Sequence, residues 1–275
     1  MRSSDITYRE KLNELRLDLT HPRSRGIAFV LVEGESDIRL LRKFFDLEAC
    51  KVECVPGGKS GLNQCLVDLA SYRLVIGIRD ADFDHLEERG EAVPLFLTDD
   101  HDMEMTIVRD DQTFTALMQE ALVQDMAAFR NNVVDTLWDV SLFKWLNYRE
   151  NLELNFRPSY YPLISCSDGR LSVADYIDWV LAKSPDARNS SRGSILSKIE
   201  ALRSRSPNPW QLTNGHDFFK CAAKYLREVH GNDHMNEEAL HALARVAYTL
   251  DRFKTTTLYA SLSGWCSTTG CSILN

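Results

Sequence analysis

Residues 28–37 (AFVLVEGESD) and 74–84 (LVIGIRDADFD) are each an apolar run that stops abruptly at carboxylates. Four to six aliphatic residues bounded by turn signals read as strands buried on both faces, and a helical pattern directly after such a strand predicts a βαβ unit. Ser36 is a good N-cap for a helix reaching about residue 45, with Ile38, Leu41 and Phe45 along one stripe. Residues 51–55 and 93–97 supply second and fourth strands around the third at 74–78, and residues 62–70 a helix between the second and third. Before the first strand, residues 5–19 form an amphipathic pattern with Leu12, Leu15 and Leu19 at helical spacing, which Pro22 ends.

From residue 112 the period becomes helical and stays so. Trp138, Leu142 and Trp145 recur along one face and are expected in a core. Residues 172–182, 194–204, 215–230 and much of 236–265 read as further helices, and the last ten residues as a tail. The expected fold is therefore α/β: a helix in residues 1–25, a parallel sheet with helices on both faces over 26–111, and a mainly helical region over 112–275.

A length of 275 residues suits one large domain or two modest ones. Apolar runs are too short to span a bilayer, and the N-terminus lacks the apolar stretch of a secretory signal, so a cytoplasmic location without membrane contact is expected. Seven cysteines with no CxxC pair read as free thiols. The net charge of -8 lacks the usual basic footprint of a nucleic-acid enzyme. Locally the balance reverses: residues 183–205 carry six basic residues, including Lys183, Arg188 and Arg192, against two acids. That segment reads either as a phosphate-contacting surface or as a solvated helix face.

The chemistry gathers where the strands end. The carboxyl edge of an open parallel sheet is where ligands bind, so Glu33, Asp80 and Asp82 are expected to converge there. Asp80 and Asp82, two apart in an extended segment, would share a face. Nothing basic enough to neutralise these acids is evident beside them, and hard oxygen donors of this kind suit Mg²⁺ or Mn²⁺. Asp102 and Glu104 offer further ligands or an acid-rich helix start, Asp37 is another possible ligand, and Asp84 a ligand or a turn cap. The loop PGGKSG at residues 56–61 ends like a Walker motif, but Glu53 occupies the first glycine position, which excludes that reading. Lys59 remains either a holder of one phosphate or part of a plain turn.

Glu33-Gly34-Glu35-Ser36-Asp37 resembles the glutamate motif of TOPRIM domains, and Asp80-Ala81-Asp82 their DxD motif, in the right order. LFLTDDHDMEM at residues 95–105 and NGHDFF at 214–219 resemble OLD-like TOPRIM nucleases, in particular the TOPRIM effectors of PARIS anti-phage systems. The resemblance implies a Rossmann-like TOPRIM sheet and metal-dependent phosphodiester hydrolysis, with Glu33, Asp80 and Asp82 as catalytic metal ligands. It further implies a C-terminal part that brings His216, Asp217 or Lys220 to the substrate. The implied partners are a separate ABC-type ATPase that holds the nuclease inactive, a second copy in a homodimer, and a nucleic-acid substrate, transfer RNA before DNA. Two other classes stay open: a phosphatase of the haloacid-dehalogenase type with Asp80 as nucleophile, and a catalytically silent module that binds an ATPase.

Overall fold

The computed structural model describes residues 6–89, 94–157, 159–165, 170–185, 187 and 191–275. The chain forms two units, the first made of Met1–Asp80, Gly90–Asp99 and Thr249–Asn275, the second of Ala81–Arg89 and Asp100–Tyr248.

The first unit is the α/β layer. Helix α1 (Tyr8–Thr20) starts at a capping box in which Thr7 and Glu10 exchange hydrogen bonds, and it ends before Pro22. Strands β1 (Ala28–Val32), β2 (Cys50–Cys54), β3 (Val75–Arg79) and β4 (Leu95–Leu97) make one parallel sheet in the order β2-β1-β3-β4. All five residues of β1 and of β3 are buried, as the continuous apolar runs require of central strands. On one face Phe29, Leu31 and Val75 join Leu12 and Leu15 of α1 with Leu62, Cys65 and Leu66 of α3 (Gly58–Asp68) in a single core. Val30, Val32, Ile76 and Ile78, at the alternate positions, are buried on the other face. Helix α2 (Glu35–Leu41) contacts β1 and β2.

Two local expectations are corrected. Helix α2 starts one residue before Ser36, because the Gly34 N–H donates to the Asp37 carboxylate (2.9 Å) and fixes Gly34 as the cap. The C-terminal residues are no tail. Helix α13 (Thr257–Thr269) is followed by Ile273, fully buried, whose carbonyl accepts from the Asp46 N–H (2.9 Å), while the Asn275 N–H donates to Phe44 (3.0 Å). The short α12 (Leu250–Phe253) adds Phe253, stacked on Phe44 with ring centroids 4.6 Å apart.

The second unit is helical apart from the two-residue strands β5 (Ile164–Ser165) and β6 (Arg170–Leu171). Its helices are α4 (Met103–Arg109), α5 (Asp111–Glu120), α6 (Met126–Glu150), α7 (Val173–Ala182), α8 (Arg192–Arg203), α9 (Pro209–Leu212), α10 (Gly215–Glu228) and α11 (Glu237–Ala247). Helix α6 carries the expected stripe: Leu142 and Trp145 are buried and Trp138 half-buried, with Trp145 Nε1 donating to Glu87 (2.7 Å). Helices α4, α5, α6 and α11 contact one another or α10, whose face of Phe218, Phe219, Cys221, Ala222 and Leu226 is buried. Among the described residues no helix is long and apolar enough to cross a membrane.

Candidate functional site

In the first unit, the chain passes from β1 outward to β2 on one side, then crosses back to β3 and continues to β4 on the other. Adjacent strands whose connections leave in opposite directions open a crevice at their carboxyl ends, the usual ligand position in this architecture. Those two strands are β1 and β3, and the residues that directly follow them are Glu33 and Asp80. Leu31 pairs with Gly77, so two further steps of that register set Glu33 level with Arg79, one residue before Asp80. Glu33 and Asp80 are both half-buried.

The loop at residues 56–61 closes on the same edge. Gly57 and Gly58 both have positive φ (97° and 56°), and a Cβ on Gly58 would stand 3.9 Å from Glu33 Oε2. Gly61 allows no side chain at all, since its Cβ would fall 2.0 Å from the Pro56 carbonyl oxygen. Lys59 lies in the first turn of α3, half-buried. Glu53, which breaks the Walker pattern, is in β2 and pairs with the buried Lys11 ammonium at 2.8 Å. A cavity of about 350 Å³ lined by Lys11, Glu33, Cys54, Val55, Pro56 and Gly57 lies along this edge.

The structure corrects two readings of the acidic motif. A base is present beside it: Arg79, the last residue of β3, is 3% exposed and donates from Nη1 to the Asp80 carbonyl (3.1 Å). The segment after Asp80 is not extended, because Asp82 takes a left-handed backbone (φ 50°) within a turn. Alternation along a strand therefore does not relate its side chain to that of Asp80. Aspartate tolerates this conformation better than most residues.

Asp82, Asp84, Asp102 and Glu104 belong to the second unit. The Asp82 N–H donates to the His101 carbonyl (2.7 Å), and its carboxylate lies 4.0 Å from His101 Nε2. His101 is buried, with Nδ1 3.3 Å from the Gln211 carbonyl, and that burial holds its pKa below the usual histidine value. Asp84, also buried, accepts from the Tyr148 hydroxyl. Asp102 caps α4 by accepting from Met105 N–H (2.8 Å), and its second oxygen accepts from Gly215 N–H (2.7 Å) at the start of α10. Burial, then the neighbouring Glu104 carboxylate, pushes its pKa well up, against those two hydrogen bonds.

No protein-family model matches the chain, and no curated protein matches its sequence.

Asp217 in the first turn of α10 forms an ion pair with Lys144 of α6, and its carbonyl accepts from the Tyr160 hydroxyl (2.9 Å). Lys144 had no signal in the sequence; it stands in a helical stripe whose pattern speaks only of packing. Lys220, one helical turn along α10, lies over the Tyr160 ring at 5.8 Å and lines a cavity of about 450 Å³ with Tyr161, Arg227 and Glu237. His216 is exposed, with Nδ1 3.9 Å from Glu237 Oε1. Along the basic segment, Arg192 pairs with Asp178 (2.8 Å), Lys198 with Glu150 and Arg203 with Asp139, so much of its positive charge is locally compensated. Arg188 lies outside the described residues.

Glu33 and Asp80 offer only oxygen donors, which matches the hard cations Mg²⁺ and Mn²⁺ and not a thiolate-seeking metal. The six described cysteines are free: Cys54, which lines the same cavity, donates from Sγ to the Glu33 carbonyl (3.4 Å), while Cys50, Cys65 and Cys221 are buried, and burial pushes the Cys50 and Cys65 thiols up to about 12 and about 11.

Proposed function

We propose that this chain is a metal-dependent nuclease of the OLD-like TOPRIM type, with Glu33, Asp80 and Asp82 as its carboxylates. One observation carries the reading: the two central strands of a parallel sheet, those flanking its switch point, are each followed directly by a carboxylate. Glu33 and Asp80 would hold the cation; the role of Asp82 rests on the resemblance of Asp80-Ala81-Asp82 to the DxD motif alone. A divalent cation bound there activates water and neutralises charge developing on a phosphodiester. Glu33 either ligates it directly or takes the proton from the attacking water. Arg79 holds the backbone of Asp80 by donating to its carbonyl, and Gly58 of the 56–61 loop lies beside the Glu33 carboxylate.

The substrate follows from the resemblance to PARIS effectors: RNA, with transfer RNA first, cleaved so that translation stops during phage infection. The same resemblance gives the control, a separately encoded ABC-type ATPase that keeps the nuclease silent until released as a homodimer. Sequencing of RNA ends, alongside genomic-DNA integrity, after induction of the chain without an ATPase partner tests the substrate. New transfer-RNA ends are expected. Intact transfer RNA with fragmented DNA moves the assignment to DNA. A phospho-aspartate trapped at Asp80 establishes the phosphatase instead.

A further inference from the structure

Helices α10 and α11 contact each other within the second unit, and their N-terminal halves bring together two histidines and a carboxylate, of which only His216 belongs to a motif legible in the sequence. Glu237 and His241 are four apart in α11 and so share one face. His216 comes from the start of α10. One ring nitrogen of each histidine and one oxygen of Glu237 lie within 4.8 Å of one another, and this is the one such group of three among the described residues. The two imidazole rings are tilted at 47° with centroids 4.8 Å apart.

Packing alone does not explain His241. It is 8% exposed, lies 4.5 Å centroid to centroid from the Phe219 ring, and its Nε2 is buried with no hydrogen-bond partner. A buried imidazole nitrogen without a partner is costly, and such groups in native proteins call for an explanation such as a bound ion. The other nitrogen, Nδ1, faces the largely buried carboxylate of Glu104 at 3.6 Å. A carboxylate behind one nitrogen of an imidazole, with the second nitrogen directed to a cation, is the usual support of a metal-ligating histidine.

We infer that His216, Glu237 and His241 form a binding site for a divalent transition metal of the Zn²⁺ class, with Glu104 orienting His241. Two imidazoles and one carboxylate favour such a borderline ion over the hard Mg²⁺ that suits Glu33 and Asp80. His216 and Glu237 are partly open to solvent, their side chains 70% and 42% exposed. Three protein ligands on an open surface leave room for water or an exogenous ligand on the ion, the arrangement of reactive sites more than of closed structural ones. Glu237 also lines the cavity that holds Lys220 and Arg227. The inference stands independently of the nuclease reading, because none of its three ligands belongs to the Glu33–Asp80–Asp82 set.

The test is a titration of the purified full chain with Zn²⁺ and with Co²⁺, by calorimetry and by visible absorption. The exposed-ligand variants His216→Ala and Glu237→Gln are compared with the parent, because His241→Ala removes a packed ring as well as a ligand. One equivalent should bind the parent, each variant should weaken it at least about ten-fold, and the Co²⁺ spectrum should show nitrogen and oxygen ligands without sulfur. Zn²⁺ should raise the melting temperature of the parent and not of His216→Ala. Absence of binding, equal binding by parent and variants, or a thiolate signature in the Co²⁺ spectrum overturns the site.

Discussion

The carboxylates of the sheet edge and the histidine-carboxylate group of the helical unit are built in opposite ways. Glu33 and Asp80 are each continuous with the strand that positions them, so scaffold and chemistry occupy the same ten residues of sequence. His216, Glu237, His241 and Glu104 come from the starts of three helices separated by up to 137 positions, and meet only because those helices pack. A strand that ends in an acid can be read directly. A group assembled at helix starts cannot, because an acid or histidine there is equally expected as a cap or a dipole partner. Donor chemistry divides the same way: two carboxylates after the strands at the sheet edge, and imidazole with carboxylate in the helical unit.

Each region depends on a glycine where a side chain cannot fit, and these substitutions should have the largest effects on stability. In the helical unit a Cβ on Gly215 would lie 2.3 Å from Glu104 Cβ and 2.6 Å from Asp102 Oδ1. Gly215→Ala should cost about 3 kcal/mol or more in urea unfolding, as overpacking against backbone-fixed atoms does. Gly61→Ala, against the Pro56 carbonyl of the sheet-edge loop, should cost a similar amount. A Gly215→Ala protein as stable as the parent would show that the starts of α4 and α10 are not held this closely.

A smaller effect is expected from Asp102. Its two oxygens accept from Met105 and Gly215 N–H, so Asp102→Ala leaves two helix-terminal donors without their acceptor and should lose about 2 kcal/mol. Asp102→Asn keeps an acceptor oxygen and should lose less. If the two variants are equally stable, Asp102 is a ligand kept for chemistry and not a brace between helices.

The smallest effect belongs to the basic segment. Arg192 is already paired with Asp178 on the surface, an arrangement worth about 0–1 kcal/mol. Arg192→Glu should leave stability nearly unchanged and lower nucleic-acid cleavage only a few-fold, with a slightly shallower salt dependence. A loss approaching that of a metal ligand would make this segment the main substrate surface.

Much of this was legible in the chain. The strand runs, the helix spacing and the acids at strand ends are local properties, and they match the parallel sheet and its helical continuation. What escaped was decided at longer range or by single backbone angles. The cap at Gly34 has no side chain to announce it, and depends on the Asp37 carboxylate accepting the Gly34 N–H. Asp82 was read as extended, but the strand stops at Arg79 and the residue turns through positive φ. Arg79 closes an apolar run, where burial of a cation is not expected from the sequence. The last residues read as a tail for want of periodicity, whereas the buried Ile273 and two backbone hydrogen bonds dock them beside α2 and β2. Lys144 and His241 sit in helical patterns that would look the same had they only packed.

The central claim is that carboxylates at the switch point of the sheet bind a metal that cleaves phosphodiesters. It is tested most directly by incubating purified parent, Glu33→Ala and Asp80→Ala chains with transfer RNA and duplex DNA, with added Mg²⁺ or Mn²⁺ and with chelator. The account predicts cleavage by the parent that requires the cation, and loss of at least about 100-fold in both variants at unchanged melting temperature, since each change removes a metal-facing group and no core volume. Cleavage that persists in either variant, or that proceeds equally in chelator, would contradict it.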